Sequence, residues 1–329
     1  MADRLRWGII GSGGVAALVG VDIAASDGST VAAVGARDLG RARALASRLG
    51  AERAYGSYAE LVADAGVDVV YVATTHAQHF TAAAMALEAG KSVLVEKPLA
   101  LNARQGRHLA DLAAVRGLLC LEGMWTRVNP VVCAVNAVVQ SGEVGELRSV
   151  ISDLSHTFEY HPRHRLFDPE VGGGALLDLG VYPAAVAWMF LGRPDVVEAT
   201  ATLAPTGVDS SASMWWRYAD GRAAQLTCSS VSEAGSRTTL VGTRGWIELA
   251  GPTFRPEAFT VCTAAGSRTI RMPLPPVNGY ALEVAEVESC LANGLTDSAA
   301  IPLAASLGVL ETLDQARRQI GLRYPNEEE

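Results

Sequence analysis

The sequence is poor in cysteine, and its cysteines do not form the patterns of a disulfide framework or a structural zinc site. Five cysteines occur among 329 residues, none of them in a Cys-x-x-Cys pair. An odd number without paired spacing argues against both uses, so these residues are expected to be small, buried apolar side chains. Charged residues make up only 19% of the chain and hydrophobic residues 49%. This is a globular composition, and the length predicts about two domains.

Positive charge is in deficit, and no segment has the pattern of a secretory or membrane element. The formal net charge is -8, so nucleic acid is not expected as a partner. No signal-peptide pattern opens the sequence, and no run is expected to be long and apolar enough to span a bilayer. The sequence therefore predicts a cytoplasmic protein with no membrane partner. The terminal Asn326–Glu329 is expected to fray.

The first 120 residues alternate short apolar runs with helical patterns. The runs are continuous rather than alternating, as in strands buried on both faces of a parallel sheet. Capping residues bound two of the helices, Asp38 with Gly50 and Asn102 with Gly117. The pattern predicts a doubly wound parallel sheet, a Rossmann domain, over residues 1–121. The predicted strands are Trp7–Ile10, Val31–Ala36, Val69–Thr74, Val93–Glu96 and Leu118–Leu121, and the helices are Leu39–Leu49, His79–Glu88 and Ala103–Val115.

The pattern changes after residue 122. Successive alternating runs, with a hairpin signal at Asp220-Gly221, predict a large, mostly antiparallel sheet. Residues 122–329 are therefore expected to form a second, α/β domain, whose C-terminal helix packs back on the first. The predicted helices are Pro130–Gln140, Ala175–Phe190, Tyr280–Leu291 and Leu303–Ile320, and the strands are Leu147–Phe158, Val196–Leu203, Met214–Tyr218, Ala223–Ser229, Thr239–Val241, Trp246–Leu249, Ala258–Thr263 and Thr269–Met272.

The first predicted strand runs into a glycine-rich turn at residues 11–16. Gly11 permits the tight turn, a side chain at Gly13 would block a pyrophosphate, and Ala16 permits close packing of the next helix. The N-terminus of that helix then offers free N–H groups to phosphates. A purely structural glycine turn is the alternative, but the position between a strand and a helix favours a dinucleotide site. The predicted contacts are Gly11, Gly13, Gly14, Val15 and Ala16.

The end of the second strand distinguishes the two nicotinamide cofactors. An NAD-binding unit normally has a carboxylate here that accepts a hydrogen bond from the ribose 2′-hydroxyl. This chain has Gly35-Ala36, then Arg37, and Arg41 one turn into the next helix. A guanidinium can pair with a 2′-phosphate and stack on adenine, so NADP is favoured over NAD. Two alternatives stay open: Arg37 and Arg41 are solvated charges, or Asp38 is the acidic partner in a shifted register.

A buried strand ends at Glu96-Lys97-Pro98. Pro98 ends the strand and biases Lys97 toward an extended backbone. Ligands of open parallel sheets bind beyond the carboxyl ends of the strands, so Lys97 is expected where nicotinamide and substrate meet. Its ammonium could hydrogen-bond the reacting oxygen and stabilise a developing alkoxide. An exposed loop lysine is the alternative.

The preceding strand also ends in polar residues. The candidate cofactor contacts here are Thr74, Thr75, His76, His79 and Glu96, and the two histidines are expected near the nicotinamide ribose. For each histidine, a surface or capping role is an equal alternative. No metal is expected, because no carboxylate or cysteine accompanies these histidines at ligand spacing.

Three segments together resemble the Gfo/Idh/MocA oxidoreductase family: the glycine-rich turn, Glu96-Lys97-Pro98, and Gly172–Pro183. Further segments resemble its dimeric dihydrodiol dehydrogenase and NADP-dependent xylose dehydrogenase branch. The resemblance implies a Rossmann domain and an α/β domain whose open sheet covers the active site and commonly makes the dimer contact. A homodimer or higher homo-oligomer is therefore expected. The branch segments are Gly35–Asp38, Thr75–His79, Glu122–Arg127, Arg165–Glu170 and Arg317–Leu322.

The same resemblance implies that Lys97 is a catalytic lysine. Many members have Asp-x-x-x-His after the glycine run, but this chain has Asp178 and then Tyr182, one helical turn later. That departure matches the branch in which the tyrosine is the general acid/base. A phenol has an ordinary pKa of about 10, which a nearby Lys97 ammonium would lower. Asp178 would orient substrate hydroxyls or Lys97; the alternatives are a half-buried tyrosine and a carboxylate that caps the helix start.

The expected reaction moves a hydride between NADP(H) and a carbinol or carbonyl of a sugar or trans-dihydrodiol. Trp125, Arg127 and Phe158 are candidate substrate contacts, although ordinary core packing is the preferred interpretation of Phe158. One rival is a reductase of nucleotide-linked keto sugars, whose charge a loop with Arg163 and Arg165 could meet. A second rival is a noncatalytic NADP-binding sensor on the same fold.

Overall fold

A computed structural model describes residues 4–274, 279–325 and 327, so most of the terminal Asn326–Glu329 lies outside the described residues. The chain divides into two compact units. Unit 1 comprises Met1–Trp125 with Pro275–Leu303, and unit 2 comprises Thr126–Leu274 with Ala304–Glu329.

Unit 1 contains a six-stranded sheet in which every strand pairing is parallel. Its strands are β1 (Leu5–Ile10), β2 (Ser29–Gly35), β3 (Arg53–Tyr55), β4 (Val69–Val72), β5 (Ser92–Glu96) and β6 (Cys120–Gly123). Its first five helices are α1 (Gly14–Ala25), α2 (Leu39–Leu49), α3 (Tyr58–Val62), α4 (His76–Glu88) and α5 (Ala103–Arg116). The strand order β3-β2-β1-β4-β5-β6 reverses between β1 and β4, as in a doubly wound dinucleotide-binding sheet. The predicted parallel sheet is confirmed.

Capping residues account for the helix ends that the sequence predicts most accurately. Asp38 accepts a hydrogen bond from the Arg41 amide at 3.0 Å, and α2 ends at Gly50 in the left-handed conformation. Asn102 accepts from the Gln105 amide in the same way at the start of α5. By contrast β3 and α3 were not predicted, since a strand of three half-buried residues carries no periodic signal.

Unit 2 is built on an eight-stranded sheet in the order β14-β13-β12-β11-β7-β10-β9-β8. All its pairings are antiparallel except that of β7 with β10, which confirms the predicted mostly antiparallel sheet. The predicted hairpin at Asp220-Gly221 joins β9 to β10. The elements are α6 (Pro130–Gln140), β7 (Leu147–Ser155), α7 (Val181–Leu191), β8 (Val196–Leu203), β9 (Asp209–Arg217), β10 (Ala223–Ser229), β11 (Thr238–Gly242), β12 (Gly245–Leu249), β13 (Ala258–Thr263) and β14 (Gly266–Arg271).

The two faces of this sheet differ within unit 2. Helix α7 packs on β7 and β10, on the face to which Val150, Leu154 and Leu226 point. The opposite face exposes Ile151 and Trp215, which are 45% and 41% exposed. These two residues lie in one lateral row, since Gln225 pairs with both of them across β7, β10 and β9. One face is therefore core, and the other displays large apolar side chains.

The helix predicted over residues 175–190 begins differently from the prediction. A π-helical turn, Leu176–Gly180, precedes α7, and the turn widens the backbone by one residue. Gly180 lies so close to β10 that a Cβ on it would be 2.9 Å from the Cys228 sulfur. Such turns are found frequently at functional sites.

The prediction that no segment is long and apolar enough to span a bilayer was wrong in length and composition. The helical stretch Pro169–Leu191 is long and apolar enough to qualify, but 83% of its apolar window is buried within the fold. Continuous apolar character is also the pattern of a helix buried on all sides, which explains why composition alone does not separate the two cases.

The last two helices, α8 (Ala281–Ala292) and α9 (Leu303–Ile320), belong to different units. In unit 1, the first amide of α8 donates to Asp22 of α1 at 2.8 Å. In unit 2, Gln319 of α9 accepts from the Ala199 amide and donates to the Val197 carbonyl, so α9 covers the edge strand β8.

Candidate functional site

The predicted cofactor residues of unit 1 lie along one edge of the parallel sheet. Strands β2, β1, β4 and β5 are neighbours in that order. Because they are parallel, the residues after their carboxyl ends share an edge: Arg37, Gly11, Thr74 and Lys97. The fold therefore places the glycine-rich turn, the arginine segment and the half-buried Lys97 at the same edge.

The glycine-rich turn has the geometry that a bound pyrophosphate needs. Gly11 has φ +117°, and a Cβ there would lie 2.3 Å from the Ala73 carbonyl oxygen, so no larger residue fits. At Gly13, the N-cap of α1, no heavy atom of the described residues comes within 4 Å of a Cβ position. No described side chain caps α1, so its first N–H groups are available to an anion. These residues fit a dinucleotide phosphate.

A tyrosine that the sequence analysis missed lies beside the two predicted arginines. Arg37 hydrogen-bonds the Tyr58 hydroxyl, and Arg41 donates to the Ser12 carbonyl at 3.3 Å. Burial raises the pKa of Tyr58, and the charge of Arg37 opposes that rise. Asp38 caps α2, since its Oδ1 accepts a hydrogen bond from the Arg41 amide. Arg41 thus contacts the glycine-rich turn, and Arg37 follows β2 at the same sheet edge, where a 2′-phosphate would need a guanidinium.

A capping box would have located Tyr58. Ser57 accepts from the Glu60 amide at 3.2 Å and donates to the Glu60 carboxylate at 2.9 Å. The sequence Ser-x-x-Glu is the local signal for such a helix start, and Tyr58 is its first helical residue.

His79 is a buried connector at this edge. Its Nδ1 lies 2.7 Å from the Pro98 carbonyl oxygen and its Nε2 lies 3.3 Å from that of Thr74. Burial, reinforced by neighbouring His76, lowers the pKa of His79 to about 3, so the ring is neutral at neutral pH. A neutral imidazole carries one N–H, so only one of these two carbonyls accepts a hydrogen bond from it. The shorter contact, to Pro98, places His79 directly beside Lys97. His76 begins α4, and Thr75 is its N-cap.

Glu96 holds the backbone of the next residue, Lys97, within unit 1. Its carboxylate accepts from the Tyr71 hydroxyl at 2.6 Å and from the Lys97 amide at 3.2 Å. Glu283 of α8 is also fully buried here, and burial together with the charge of Glu96 raises its pKa well above the ordinary value. Burial and both carboxylates likewise raise the pKa of Tyr71. Neither Tyr71 nor Glu283 was predicted.

In unit 2, the predicted carboxylate Asp178 is already paired. Arg165 donates to it through both terminal nitrogens, at 2.8 and 3.2 Å. The Asp178 side chain is 5% exposed, whereas that of Arg165 is 52% exposed. Asp178 lies in the π-turn, and its charge is balanced by the loop that precedes the glycine run. No sequence signal indicates this pair, because the two residues belong to separate local structures.

Tyr182 lies at the start of α7 and packs against an aromatic ring that was not predicted. The rings of Tyr182 and Phe254 have centroids 5.5 Å apart. Phe254 follows β12, and its carbonyl accepts from the Thr126 hydroxyl at 3.0 Å. The phenol therefore has an apolar neighbour on one side.

The remaining predicted substrate residues fall in both units. Trp125, in unit 1, is buried with its ring centroid 5.3 Å from that of Tyr280. Arg127, in unit 2, is 9% exposed, and Phe158 is half-buried against His164. Lys97 belongs to unit 1, while Asp178 and Tyr182 belong to unit 2.

Family models match most of the chain. Residues 5–124 match the model of an oxidoreductase family with an NAD-binding Rossmann fold. Residues 132–248 match the model of the GFO/IDH/MocA C-terminal domain.

Whole-length relatives carry names of the same chemical class. The chain is 34% identical to a trans-1,2-dihydrobenzene-1,2-diol dehydrogenase of Bos taurus, over 98% of this chain and 99% of the relative. It is 32% identical to a D-xylose 1-dehydrogenase (NADP(+)) of Hypocrea jecorina, over 98% and 93%. Among solved structures, a 3-ketoreductase from Actinomadura kijaniata in complex with NADP and TDP-benzene superposes with a TM-score of 0.86 at 26% identity, covering 97% and 98% of the chains.

Proposed function

We propose, because the chain belongs to the GFO/IDH/MocA oxidoreductase family, that it transfers a hydride between NADP(H) and a CH–OH or C=O carbon of a sugar or trans-dihydrodiol. The observation that carries this proposal is that Lys97 follows β5 at the sheet edge that also holds the glycine-rich turn. The named relatives support the substrate class, since one is named for a trans-dihydrodiol and the other for the sugar D-xylose.

The residues that would hold the cofactor have separate tasks. The open N-terminus of α1 and Gly13 would bind the pyrophosphate, and Arg37 with Arg41 would bind the 2′-phosphate. Thr74 and His76 follow β4 and would contact the nicotinamide ribose. When bound, NADP(H) supplies or accepts the hydride. Arginine after the end of β2, where an NAD-binding unit normally has a carboxylate, supports NADP rather than NAD.

Lys97 and Tyr182 would carry the proton chemistry. In reduction, the Tyr182 hydroxyl donates its proton to the oxygen of the carbonyl as the hydride arrives at carbon; in oxidation, the phenolate accepts the proton back. The Lys97 ammonium donates a hydrogen bond to the same oxygen, stabilises its negative charge and favours the phenolate. Asp178, paired with Arg165, would orient substrate hydroxyls or Lys97 from the turn before Tyr182.

An uncharged diol or sugar fits the site of unit 2 better than a nucleotide-linked substrate. The planar fork of Arg165 is used on Asp178, so its two-pronged face does not serve a phosphate. Phe254 beside Tyr182 supplies an apolar wall for a ring. The second candidate, a reductase of nucleotide-linked keto sugars, is favoured by the likeness to the ketoreductase that was solved with TDP-benzene.

We also propose a homodimer that forms through the face of the unit 2 sheet opposite α7, which we call the open face. Ile151, Trp215 and Trp246 are exposed on strands of this sheet, and large exposed apolar patches usually mark an interaction surface. Since the reaction draws on the cell's NADP(H) pool, we place it in the cytoplasm.

A substrate screen with both cofactors tests the proposal. The purified chain is mixed with NADP or NAD and with D-xylose, other pentoses and hexoses, and trans-1,2-dihydrobenzene-1,2-diol, and the absorbance of reduced nicotinamide is followed. Keto sugars, free and nucleotide-linked, are tested with NADPH in the reverse direction. Turnover with an uncharged substrate and NADP is expected. Tight NADP binding without turnover in either direction would instead favour a noncatalytic sensor.

A further inference from the structure

We propose that Asp209 and Tyr324 are positioning residues of the active site: Asp209 holds the start of the π-turn, Tyr324 holds the glycine turn Gly172–Gly174 before it, and together they fix the segment that presents Asp178 and Tyr182. This inference rests on the proposed role of Tyr182. We call Gly172–Gly174 the triple-glycine turn. Asp209 begins β9 and Tyr324 follows α9, so both are distant from the turn along the chain.

Asp209 satisfies the start of the π-turn. The residue is fully buried, and its Oδ2 accepts a hydrogen bond from the Leu176 amide at 2.6 Å. The Ala175 amide also stabilises the carboxylate. Helix starts leave N–H groups without partners inside the helix, and usually a residue just before the helix satisfies them. Here a residue 33 positions later does so, which ties the helix start to the sheet.

Tyr324 holds the triple-glycine turn by a hydrogen bond to its backbone. Its buried hydroxyl donates to the Gly173 carbonyl oxygen at 2.5 Å. Between the two contacts lies Gly174, with φ +119°. A Cβ on Gly174 would lie 2.3 Å from Asp209 Oδ1 and 3.1 Å from the Tyr324 hydroxyl oxygen. Glycine at this position thus permits the carboxylate and the phenol to approach the backbone together.

Protonation of Asp209 would weaken its hold on the π-turn near pH 6. Burial raises the pKa of Asp209 to about 6, against the opposing effects of the Leu176 amide and the Arg317 guanidinium. Burial and the Asp209 carboxylate raise the pKa of Tyr324 well above its ordinary value. Arg317 is buried beside them, with its guanidinium 5.3 Å from the centre of the Tyr324 ring and ion pairs to Asp314 and Glu327. Two further titratable groups are coupled to this pair: Asp178 raises the pKa of Tyr324, and Asp209 raises the pKa of the Cys228 thiol.

The contacts made by Asp209 and Tyr324 lie only a few residues from the Tyr182 phenol, and this gives them a role in turnover. Leu176, whose amide Asp209 holds, lies two residues before Asp178 and six before Tyr182 in one continuous helical segment. Proton transfer requires the acid/base group within hydrogen-bond reach of the reacting oxygen, and a displacement of about 1 Å can cost about 100-fold in rate. Small shifts of the helix start would therefore reach the chemical step.

The test compares variants at the two ends of the same helix. Tyr324→Phe removes only the hydroxyl that binds Gly173, and Asp209→Asn removes the negative charge with little change in shape. The control is Tyr218→Phe, because the Tyr218 hydroxyl donates to the Gly192 carbonyl at 2.9 Å at the far end of α7. Turnover is measured with NADP and the probes D-xylose and trans-1,2-dihydrobenzene-1,2-diol. Thermal midpoints and hydrogen exchange of peptides that cover residues 172–182 are measured on the same samples.

We expect Tyr324→Phe and Asp209→Asn to lower kcat about 10-fold with the KM for NADP changed less than about 2-fold, because the chemistry is displaced while the cofactor site is untouched. Exchange of the 172–182 segment should be faster in both variants. Tyr218→Phe should leave kcat and that exchange unchanged, even where its thermal midpoint falls equally. In the wild type, kcat should show a limb near pH 6 that Asp209→Asn lacks.

The outcomes separate this inference from the proposed function. If Tyr324→Phe loses no more kcat than Tyr218→Phe and its 172–182 segment exchanges normally, the two residues are structural only and the inference is overturned. If Asp209→Asn does not fold, Tyr324→Phe alone decides. If the wild type turns over none of the substrates, the proposed function fails. If Tyr182→Phe retains full turnover, the proposed role of Tyr182 fails instead, whatever the exchange data show.

Discussion

Arg165 reaches Asp178 with both terminal nitrogens, at 2.8 and 3.2 Å, and so balances a carboxylate that is almost completely buried. Arg165→Ala leaves that charge without its partner. We expect the free energy of unfolding to fall by about 2 kcal/mol and kcat to fall about 10-fold, because Asp178 lies one turn before Tyr182. Denaturant unfolding and steady-state kinetics with an uncharged substrate check both effects.

Arg163→Ala is the matched control for that prediction, since Arg163 is exposed in the same loop. This variant should change neither the free energy of unfolding nor kcat. If Arg165→Ala instead raised KM only for a nucleotide-linked keto sugar and left kcat intact, Arg165 would be a phosphate contact, and the second candidate substrate class would be preferred.

Lys97 and Tyr182 should be separable from cofactor binding. Lys97→Met and Tyr182→Phe should each lower kcat by about 100-fold or more, since general acid/base and oxyanion contributions are commonly of that size. NADP affinity, measured by fluorescence titration, should change only a few-fold. The chain has one other lysine, Lys91, whose ammonium donates to the Asp64 and Val67 carbonyls at 3.0 and 2.7 Å. Lys91→Met should lower stability but not turnover; wild-type rates in both active-site variants would remove the mechanism.

Arg37 should determine the choice between the two cofactors. Arg37→Ala removes a guanidinium from the pair that faces the expected 2′-phosphate, so the Kd for NADP should rise by about 10- to 100-fold. The Kd for NAD, which lacks that phosphate, should change little. Arg43→Ala, at an exposed arginine of α2, should leave both constants unchanged. Equal losses for NADP and NAD in Arg37→Ala would leave the preference for NADP without support.

Local signals predicted the features that a few neighbouring residues determine. Asp38 and Gly50 bound α2, Asp220-Gly221 turns the β9–β10 hairpin, and Gly11 turns tightly after β1. Each depends on backbone conformation or capping within one turn of chain, which a single sequence displays. The predicted parallel and antiparallel sheets follow from the same local evidence.

The missed features are contacts between distant parts of the chain. β9 begins at Asp209, five residues before the predicted start, because its polar first residues have the composition of a loop. Asp209 is nevertheless buried, since it serves the Leu176 amide. The partners of Tyr182 and Asp178, namely Phe254 and Arg165, carry no periodicity that links them to the glycine run. Tertiary pairing decides such positions, so sequence patterns predicted the candidate site residues but not the residues that contact them.

His79 should make the protein less stable in acid. Its pKa is lowered from 6.5 to about 3 in the fold, so between these values the unfolded chain binds a proton that the folded chain does not. The stability that this histidine contributes is therefore complete above about pH 6.5 and is lost as pH falls toward 3. From pH 6.5 to 5 the loss should be about 2 kcal/mol. His79→Gln, which can still donate to the Pro98 carbonyl, should lack this loss.

Denaturant titrations of both proteins at pH 7 and pH 5 measure that difference. Asp209, whose pKa is raised, acts with the opposite sign between about pH 4 and 6, but it is common to both proteins and cancels. Parallel changes in the wild type and His79→Gln would mean that the ring takes up a proton in the folded state. Both ring nitrogens of His79, which face the Pro98 and Thr74 carbonyls, would then carry a proton, as in an imidazolium.

The open face of the unit 2 sheet should control the oligomeric state. Trp215 and Ile151 are exposed in one lateral row, and a carboxylate in the middle of such an apolar surface cannot be buried against a second copy without a large desolvation cost. Trp215→Glu should therefore shift the sedimentation coefficient at micromolar concentration from that of a dimer to that of a monomer. Val115→Glu, at a residue of α5 that is 84% exposed, should leave sedimentation unchanged. A wild type that sediments as a monomer, or a Trp215→Glu variant that remains dimeric, would assign this face to another purpose.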